Sequence, residues 1–548
     1  MSIRVTITKP NVTDAYGLPM VVGSTYTVND DFGLSLISQG MASDTDASLT
    51  NPGVREADAL GVLYCNAATL AAPTAQMLAS YNTVFALDVA PFTRYRSNGT
   101  YLVPEGQYST DASGNITGLA GAGGRAALLR QFKLTNEIGM KPAGVTINHN
   151  AGAGNTWCMK MAAPGDFTAV RVVYYHGSTS GTTVVKAAVA ATETALQDTD
   201  VNRWRPVVGG TEYSTLDATE QYGWKSVTWA AASSITPAAG TATAPTVVVS
   251  DWIPLRSVPR SDGSAFPLCH VRVNFTGGTS SYTGTDASMN TATAANGGFI
   301  FQCGWGADAS GLYVTAPAAN NPSGAQNRNM PAIGLQFRTR KPGIAIIGVG
   351  DSLTQCGAVV ADNFSSWGWR AAAAISALGI PCGFVNNGVA SQDASVFEVA
   401  GENAISKWGC NVVTYQSFSP NGPGTPPFST DATMRYAIQQ QAALMEKMIA
   451  YSKSAGAIPI IASPLPGGNI TNASQDAYRL SYNTEVLTFA SDRVAMNWNT
   501  LFTDGASPAR INSTYLYTTD GLGVHVNEAG VAVQATLLQT ALATFAGC

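Results

Sequence analysis

Seven consecutive residues, Ile344-Ala345-Ile346-Ile347-Gly348-Val349-Gly350, carry no polar side chain, and Asp351-Ser352 follows at once. A run so short and so apolar fits a strand buried on both faces, as in parallel sheets covered by helices. The downstream sequence repeats the pattern. Short apolar runs occupy residues 382–385, 412–417 and 458–463. Helical patterns cover residues 367–378, 431–454 and 528–545. In the long middle helix Met434, Ile438, Met445, Met448 and Ile449 share one face, and Gly456 stops it. Strands alternating with helices predict an α/β domain with a parallel sheet over residues 341–548. Such a sheet opens its ligand crevice at the carboxyl ends of its strands, which is where Ser352 falls.

The preceding region has a different character. Residues 151–340 carry β-rich runs at 169–175, 183–189, 226–229, 246–252, 271–275, 298–303 and 334–339, separated by Gly/Ser/Thr turn clusters. This spacing predicts an all-β sandwich or jelly roll, and no fixed short repeat points to a β-helix. Residues 1–55 read as a small α+β docking module, with strands near 3–8 and 25–28 and a short helix over 31–38. A segment of that size buries little surface by itself and needs something to dock on. Residues 56–150 read as a connecting or docking region, with an Ala-rich helix over 67–78 and turn-rich sequence over 98–124.

Charged residues make up only 12% of the chain and the formal net charge is −5. With no basic stripe to neutralise phosphates, nucleic-acid binding is set aside. No apolar stretch is long enough to span a membrane, and the N-terminus has no signal-peptide pattern, so the expected site of synthesis is a cytoplasm. The polar but weakly charged surface is common in extracellular and virion proteins. The eight cysteines are scattered without metal spacing. They read as buried thiols, with Cys269–Cys303 as the one disulfide weighed. His270 beside Cys269 has no further ligands near it in sequence, so no metal is expected.

Histidine arithmetic decides the chemistry. Of His149, His176, His270 and His525, only His525 lies in the α/β region, in a loop just before the last helix. A serine hydroxyl needs a base to act as a nucleophile, and imidazole suits that task. Asp520, five residues upstream, can orient the ring. Trp224, Trp229, Trp252 and Trp305 could stack on sugars or fill the sandwich core. Asp362 and Asn363 read as a turn, and Trp367 as packing under the active-site loops.

Gly350-Asp351-Ser352-Leu353 resembles the GDSL motif of the SGNH hydrolases, and the late Asp520…His525 pair resembles that family's acid and base. The resemblance implies a three-layer fold with a flavodoxin-like sheet and a serine esterase needing no cofactor. It implies Ser352 as nucleophile, His525 as base and Asp520 as acid. Asn386-Asn387-Gly388-Val389-Ala390-Ser391 matches the second family motif, which places Ser391 where the family has an oxyanion glycine, with Gly388 as the alternative. Ser419-Pro420-Asn421 matches the third motif, making Asn421 the side-chain oxyanion donor. The spacing of Asp520 from His525 exceeds the family's, and Gly521 and Gly523 would let the loop bulge. The whole assembly resembles phage tail-associated esterases. That implies an O-acylated bacterial surface glycan, capsule or lipopolysaccharide, as substrate. It also implies tail or baseplate partners through the N-terminal module, a homotrimer, and a place in the virion acting at the host surface. Two rivals are a receptor-binding tail protein with an inactive hydrolase domain, and a secreted bacterial lipase or carbohydrate esterase.

Overall fold

The computed structural model describes residues 2–10, 21–29, 42–44, 55–57, 62–65, 83–86, 92–97, 102–110, 116–119, 132–141, 147–150, 155–179, 181–194, 206–212, 223–241, 243–276, 280–283, 301–307, 314, 330–331, 333–356, 366–422, 428, 430–488, 493–519, 521 and 523–546. The chain forms two compact units, Met1–Arg130 with Thr488–Asp492, and Gln131–Leu487 with Arg493–Cys548.

In the first unit, strands from Ser2–Ile7 to Ile116–Leu119 join one nine-stranded sheet. The break expected at residue 55 falls inside this sheet: Arg55–Ala57 pairs both with Ser2 and with Val62–Cys65. Within it Val62–Cys65 runs parallel to Thr83–Ala86. The helices expected over 31–38 and 67–78 lie outside the described residues.

The second unit is organised by a single strand. Label its principal strands β1 (Thr135–Met140), β2 (Asn155–Ala162), β3 (Phe167–His176), β4 (Val184–Thr192), β5 (Leu268–Thr276), β6 (Phe301–Ala307), β7 (Ile333–Gly350), β8 (Cys382–Gly388), β9 (Val412–Gln416), β10 (Ile458–Ala462) and β11 (Val494–Met496). Its helices are α1 (Ser352–Gln355), α2 (Trp367–Ala377), α3 (Ala394–Trp408), α4 (Asp431–Ser454), α5 (Ala473–Thr488), α6 (Trp498–Phe502) and α7 (Glu528–Ala546). The first half of β7 pairs antiparallel with β1 and β3, as in Ile138↔Phe337 and Val170↔Phe337. Its second half pairs parallel with β8 and β9, as in Ile346↔Phe384 and Ile346↔Val412. The domain boundary expected at 341 therefore lies within a continuous strand.

The sequence marks the changeover. Pro342 sits where β7 exchanges its partners, so its missing N–H leaves no ladder position unfilled. At Gly343 an added Cβ would stand 1.8 Å from the Pro381 carbonyl oxygen, so only glycine permits the approach through which Ile344 N–H reaches that oxygen.

The parallel half has the order β8-β7-β9-β10-β11, an order that reverses between β7 and β9. This is the arrangement that opens a crevice at the carboxyl ends of β7 and β9. A separate five-stranded antiparallel sheet, in the order Lys225–Ser226, β4, β5, β2, β6, covers the antiparallel half. Trp157, Met159 and Met161 of β2 alternate inward and share a core with Val170, Val172 and Tyr174 of β3 and Leu335 and Phe337 of β7. The same core runs on into Ile346, Phe384, Trp367, Trp498 and Leu542 under α2, α6 and α7. On the opposite face, Phe397, Trp408, Met434, Met445 and Tyr482 of α3, α4 and α5 pack on Val173, Tyr175, Ile347 and Val413. The Trp408 indole donates to the Tyr175 hydroxyl at 2.6 Å, so α3 straddles both halves of the sheet.

Trp224 and Trp229 are buried, and Trp252 stacks against the Arg171 and Arg338 guanidinium groups. The Trp305 side chain lies outside what is described. Cys269 is a free thiol, which removes the Cys269–Cys303 bridge. No helix among the described residues is long and apolar enough to cross a membrane.

Candidate active site

Strand β7 delivers the turn that carries the candidate nucleophile. Asp351 is the N-cap of α1, its Oδ1 accepting from Leu353 N–H at 2.9 Å, an interaction worth about 1 kcal/mol. Ser352 thus starts a one-turn helix at the carboxyl end of the sheet. Its Oγ lies 2.8 Å from His525 Nε2, within reach for proton transfer. These two residues are 173 apart in sequence, and two loops bring them together. Tyr517 N–H donates to the His525 carbonyl at 3.0 Å, and Gly468 N–H to that of Gly523 at 3.1 Å, so the histidine loop is pinned on both sides. Asn527 then caps α7, its Oδ1 accepting from Gly530 N–H at 3.1 Å. Asp520, Asp362 and Asn363 lie outside the described residues.

Asp351 is fully buried and has a second role that the sequence did not reveal. Its Oδ2 accepts from Ser419 Oγ at 2.6 Å and from Asn421 Nδ2 at 3.4 Å. Its N–H donates to Gln416 Oε1 at 3.2 Å. Burial pushes the carboxyl pKa up, against the opposing pull of the Ser419, Leu353 and Gln416 hydrogen bonds. The loops after β7 and β9 are therefore clamped together through one carboxylate. Sequence reasoning quoted Ser419 only as a flank of Asn421 and did not single out Gln416, the last residue of β9, because their roles come from the contact with Asp351.

The oxyanion candidates separate clearly. Ser391 adopts φ +61°, a left-handed conformation that favours glycine. Its N–H and that of Ser352 donate to no acceptor among the described residues. The Gly388 N–H donates to Asn386 Oδ1 at 3.1 Å. An added Cβ there would stand 2.5 Å from the Gln355 backbone nitrogen, so the glycine serves close packing of β8 under α1. Gly388→Ala should cost about 1–3 kcal/mol and displace α1, seen as a lower melting temperature with reduced turnover. Asn421 stands at the crevice, but its Nδ2 donates to Gln392 O at 2.9 Å as well as to Asp351. Donation to an oxyanion would have to replace the longer of the two.

Beside the Ser352–His525 pair lies a small cleft lined by Leu353, Phe418, Pro420, Leu465, Pro466 and Val524 among others. Trp367 is buried, its indole N–H donating to the Leu353 carbonyl at 3.0 Å, as packing beneath the nucleophile turn requires. Among the described residues no three His, Cys, Asp or Glu side chains are placed to hold a metal ion. Burial, with Lys160 and Arg272 as positive neighbours, drives the His270 imidazole well below its usual pKa.

Part of the chain is structurally similar to SGNH/GDSL hydrolases. A lipolytic protein of the G-D-S-L family from Desulfitobacterium hafniense matches at 18% identity, covering 36% of this chain and 98% of its own, with a TM-score of 0.27. Acetyl xylan esterase Axe2 from Geobacillus stearothermophilus matches at 15% identity, over 37% of this chain and 95% of its own, with a TM-score of 0.27. The protein YXIM from Bacillus subtilis matches at 16% identity over 75% of this chain and 88% of its own, with a TM-score of 0.29. No protein-family model matches the sequence. No curated protein matches it either. At these scores the likeness carries no functional weight, and the chemistry rests on the placement of side chains.

Proposed function

We propose that this chain is a serine esterase in which Ser352 is the nucleophile and His525 the general base. The single observation that supports this is the 2.8 Å approach of Ser352 Oγ to His525 Nε2 at the carboxyl end of β7. In this reading Ser352 Oγ attacks the ester carbonyl carbon and gives its proton to His525. The Ser352 and Ser391 amides, with Asn421 Nδ2, receive the oxyanion. The alcohol leaves with the proton held on His525. Water then attacks the acyl-serine, His525 takes its proton, and the acid departs as Ser352 is regenerated. Asp520 completes this reading as the group that orients the ring.

The apolar lining of the cleft, with Leu353, Phe418, Leu465 and Val524, supports an acyl group as its occupant. We take the substrate to be an O-acetylated bacterial surface polysaccharide, and the chain to act as part of a phage tail. The low charge and Gly/Ser/Thr-rich sequence are consistent with such a particle. Release of acetate from acetylated capsules and lipopolysaccharides, compared with de-acetylated controls, tests the substrate. Acetate release from none of them would remove the glycan reading. Asn421→Ala should lower kcat by about 10²–10³-fold with a small change in KM, since an oxyanion donor acts in the transition state. The engagement of Asn421 Nδ2 with Gln392 favours the rival reading, a tail protein that no longer turns over. A wild type that hydrolyses neither p-nitrophenyl acetate nor any acetylated glycan would support that rival.

A further inference from the structure

We propose that Lys141, carried into the α/β layer at the end of β1, is a positioning residue for the nucleophile turn, acting through Asn386. The proposal rests on the esterase reading above.

Lys141 precedes the α/β region by some two hundred residues, yet its main chain is woven into β8. Its N–H donates to the Phe384 carbonyl at 3.1 Å, and Asn386 N–H donates to the Lys141 carbonyl at 2.8 Å. Its side chain then turns back on the same strand, and Nζ donates to the Asn386 carbonyl at 3.0 Å. The residue is 1% exposed, with the Tyr175 ring 5.1 Å from the ammonium. Burial brings its pKa down to about 7. Taking a lysine out of water is expensive, and an aliphatic side chain would fill the same space without that penalty. What an aliphatic chain cannot do is donate to the Asn386 carbonyl.

Asn386 is the residue on which the site rests. Its Nδ2 lies 3.3 Å from both the Thr354 and the Gln355 carbonyls, the last turn of α1. Its Oδ1 accepts from Gly388 N–H at 3.1 Å. Gln355 Oε1 in turn accepts from Ala390 N–H at 3.1 Å, beside Ser391. One asparagine therefore ties the helix that begins at Ser352 to the turn that presents the second open amide. Lys141 fixes the peptide from which that asparagine projects. A shift of about 1 Å in such a support is enough to cost about 10²-fold in rate.

The test compares full-length wild type, Lys141→Met and Lys141→Gln on p-nitrophenyl acetate. Active sites are counted by an alkyl phosphonate and folding is followed by thermal melting. The expected result for Lys141→Met is a kcat per titrated site lowered about 10-fold or more, with KM within about two-fold of wild type. Lys141→Gln, which keeps an N–H donor, should lose less. A folded Lys141→Met whose kcat per site equals wild type overturns the proposal, as does an equal loss in both variants. If Lys141→Met does not fold, Lys141→Gln at wild-type kcat supports the proposal and a Gln variant that melts normally but is slowed 10-fold or more overturns it. A wild type that neither hydrolyses esters nor takes up phosphonate would instead remove the esterase reading, and this proposal with it.

Discussion

Ser352→Ala should lower kcat/KM for p-nitrophenyl acetate by about 10⁴-fold or more, leaving only the residual rate that oxyanion binding provides. The expectation follows from position. Ser352 is the hydroxyl at the carboxyl end of β7 that stands within 2.8 Å of His525 Nε2. Removing it takes away the attacking atom and leaves Asp351 and its clamp on Ser419 in place. The variant should therefore fold and melt like wild type. His525→Ala should be comparably slow, and the double variant little slower than either single one, because nucleophile and base act as one unit. Losses that multiply in the double variant would mean that the two residues work independently. A Ser352→Ala variant within about 10-fold of wild type would rule out the mechanism.

The second large effect concerns folding. A fragment beginning at Lys341 should show no cooperative thermal transition and no esterase activity, while a fragment beginning at Gln131 should fold and keep both. The cut at 341 severs β7 and removes β1 and β3, its partners in the antiparallel half. It also removes the Tyr175 hydroxyl from Trp408 and the Lys141 ammonium from Asn386. Burial of one large apolar side chain is worth about 1.5–3 kcal/mol, against a total stability of about 5–15 kcal/mol for a typical protein. Losing the shared core of Val170, Val172, Tyr174, Leu335 and Phe337 exceeds what the remainder can spare. Circular dichroism melts of the two fragments decide the matter. A cooperative melt of the shorter fragment would show that the α/β layer is autonomous.

This second expectation marks where the sequence was legible and where it was not. The apolar run ending at Gly350 was readable as a buried strand because both its faces are covered, by α2 on one side and α3 on the other. The helix over Asp431–Ser454 was readable from its one-sided apolar spacing and its stop at Gly456. The continuity of β7 through Lys341-Pro342-Gly343 was not, because proline and glycine usually punctuate chains and here they mark a change of partners within one strand. Helix α3 was missed for another reason. Its buried face is built from Ala400, Gly401 and Ala404 between Phe397 and Trp408, with Glu398 buried against Lys447, so the apolar periodicity is faint.

The site divides in the same way. Ser352 and His525 could be paired because only one histidine was available to the α/β region. Asn421 and Ser391 were read by motif; the Asn421 amide is engaged by Gln392 and Asp351, and Ser391 follows Ala390, whose N–H reaches Gln355. Lys141, Asn386, Gln416 and Ser419 act by holding other groups. Their roles depend on contacts between residues far apart in the chain, with Lys141 and Asn386 separated by 245 positions. Nothing local in the sequence encodes such a partnership.

The central claim is that Ser352 is the nucleophile, and locating a covalent adduct tests it most directly. Intact-mass analysis after treatment with an alkyl phosphonate, followed by peptide mapping, should find one phosphonyl group per chain, on Ser352, and none in Ser352→Ala or in heat-denatured protein. A wild type that takes up no phosphonate, or an adduct on another residue that persists in Ser352→Ala, would contradict the account.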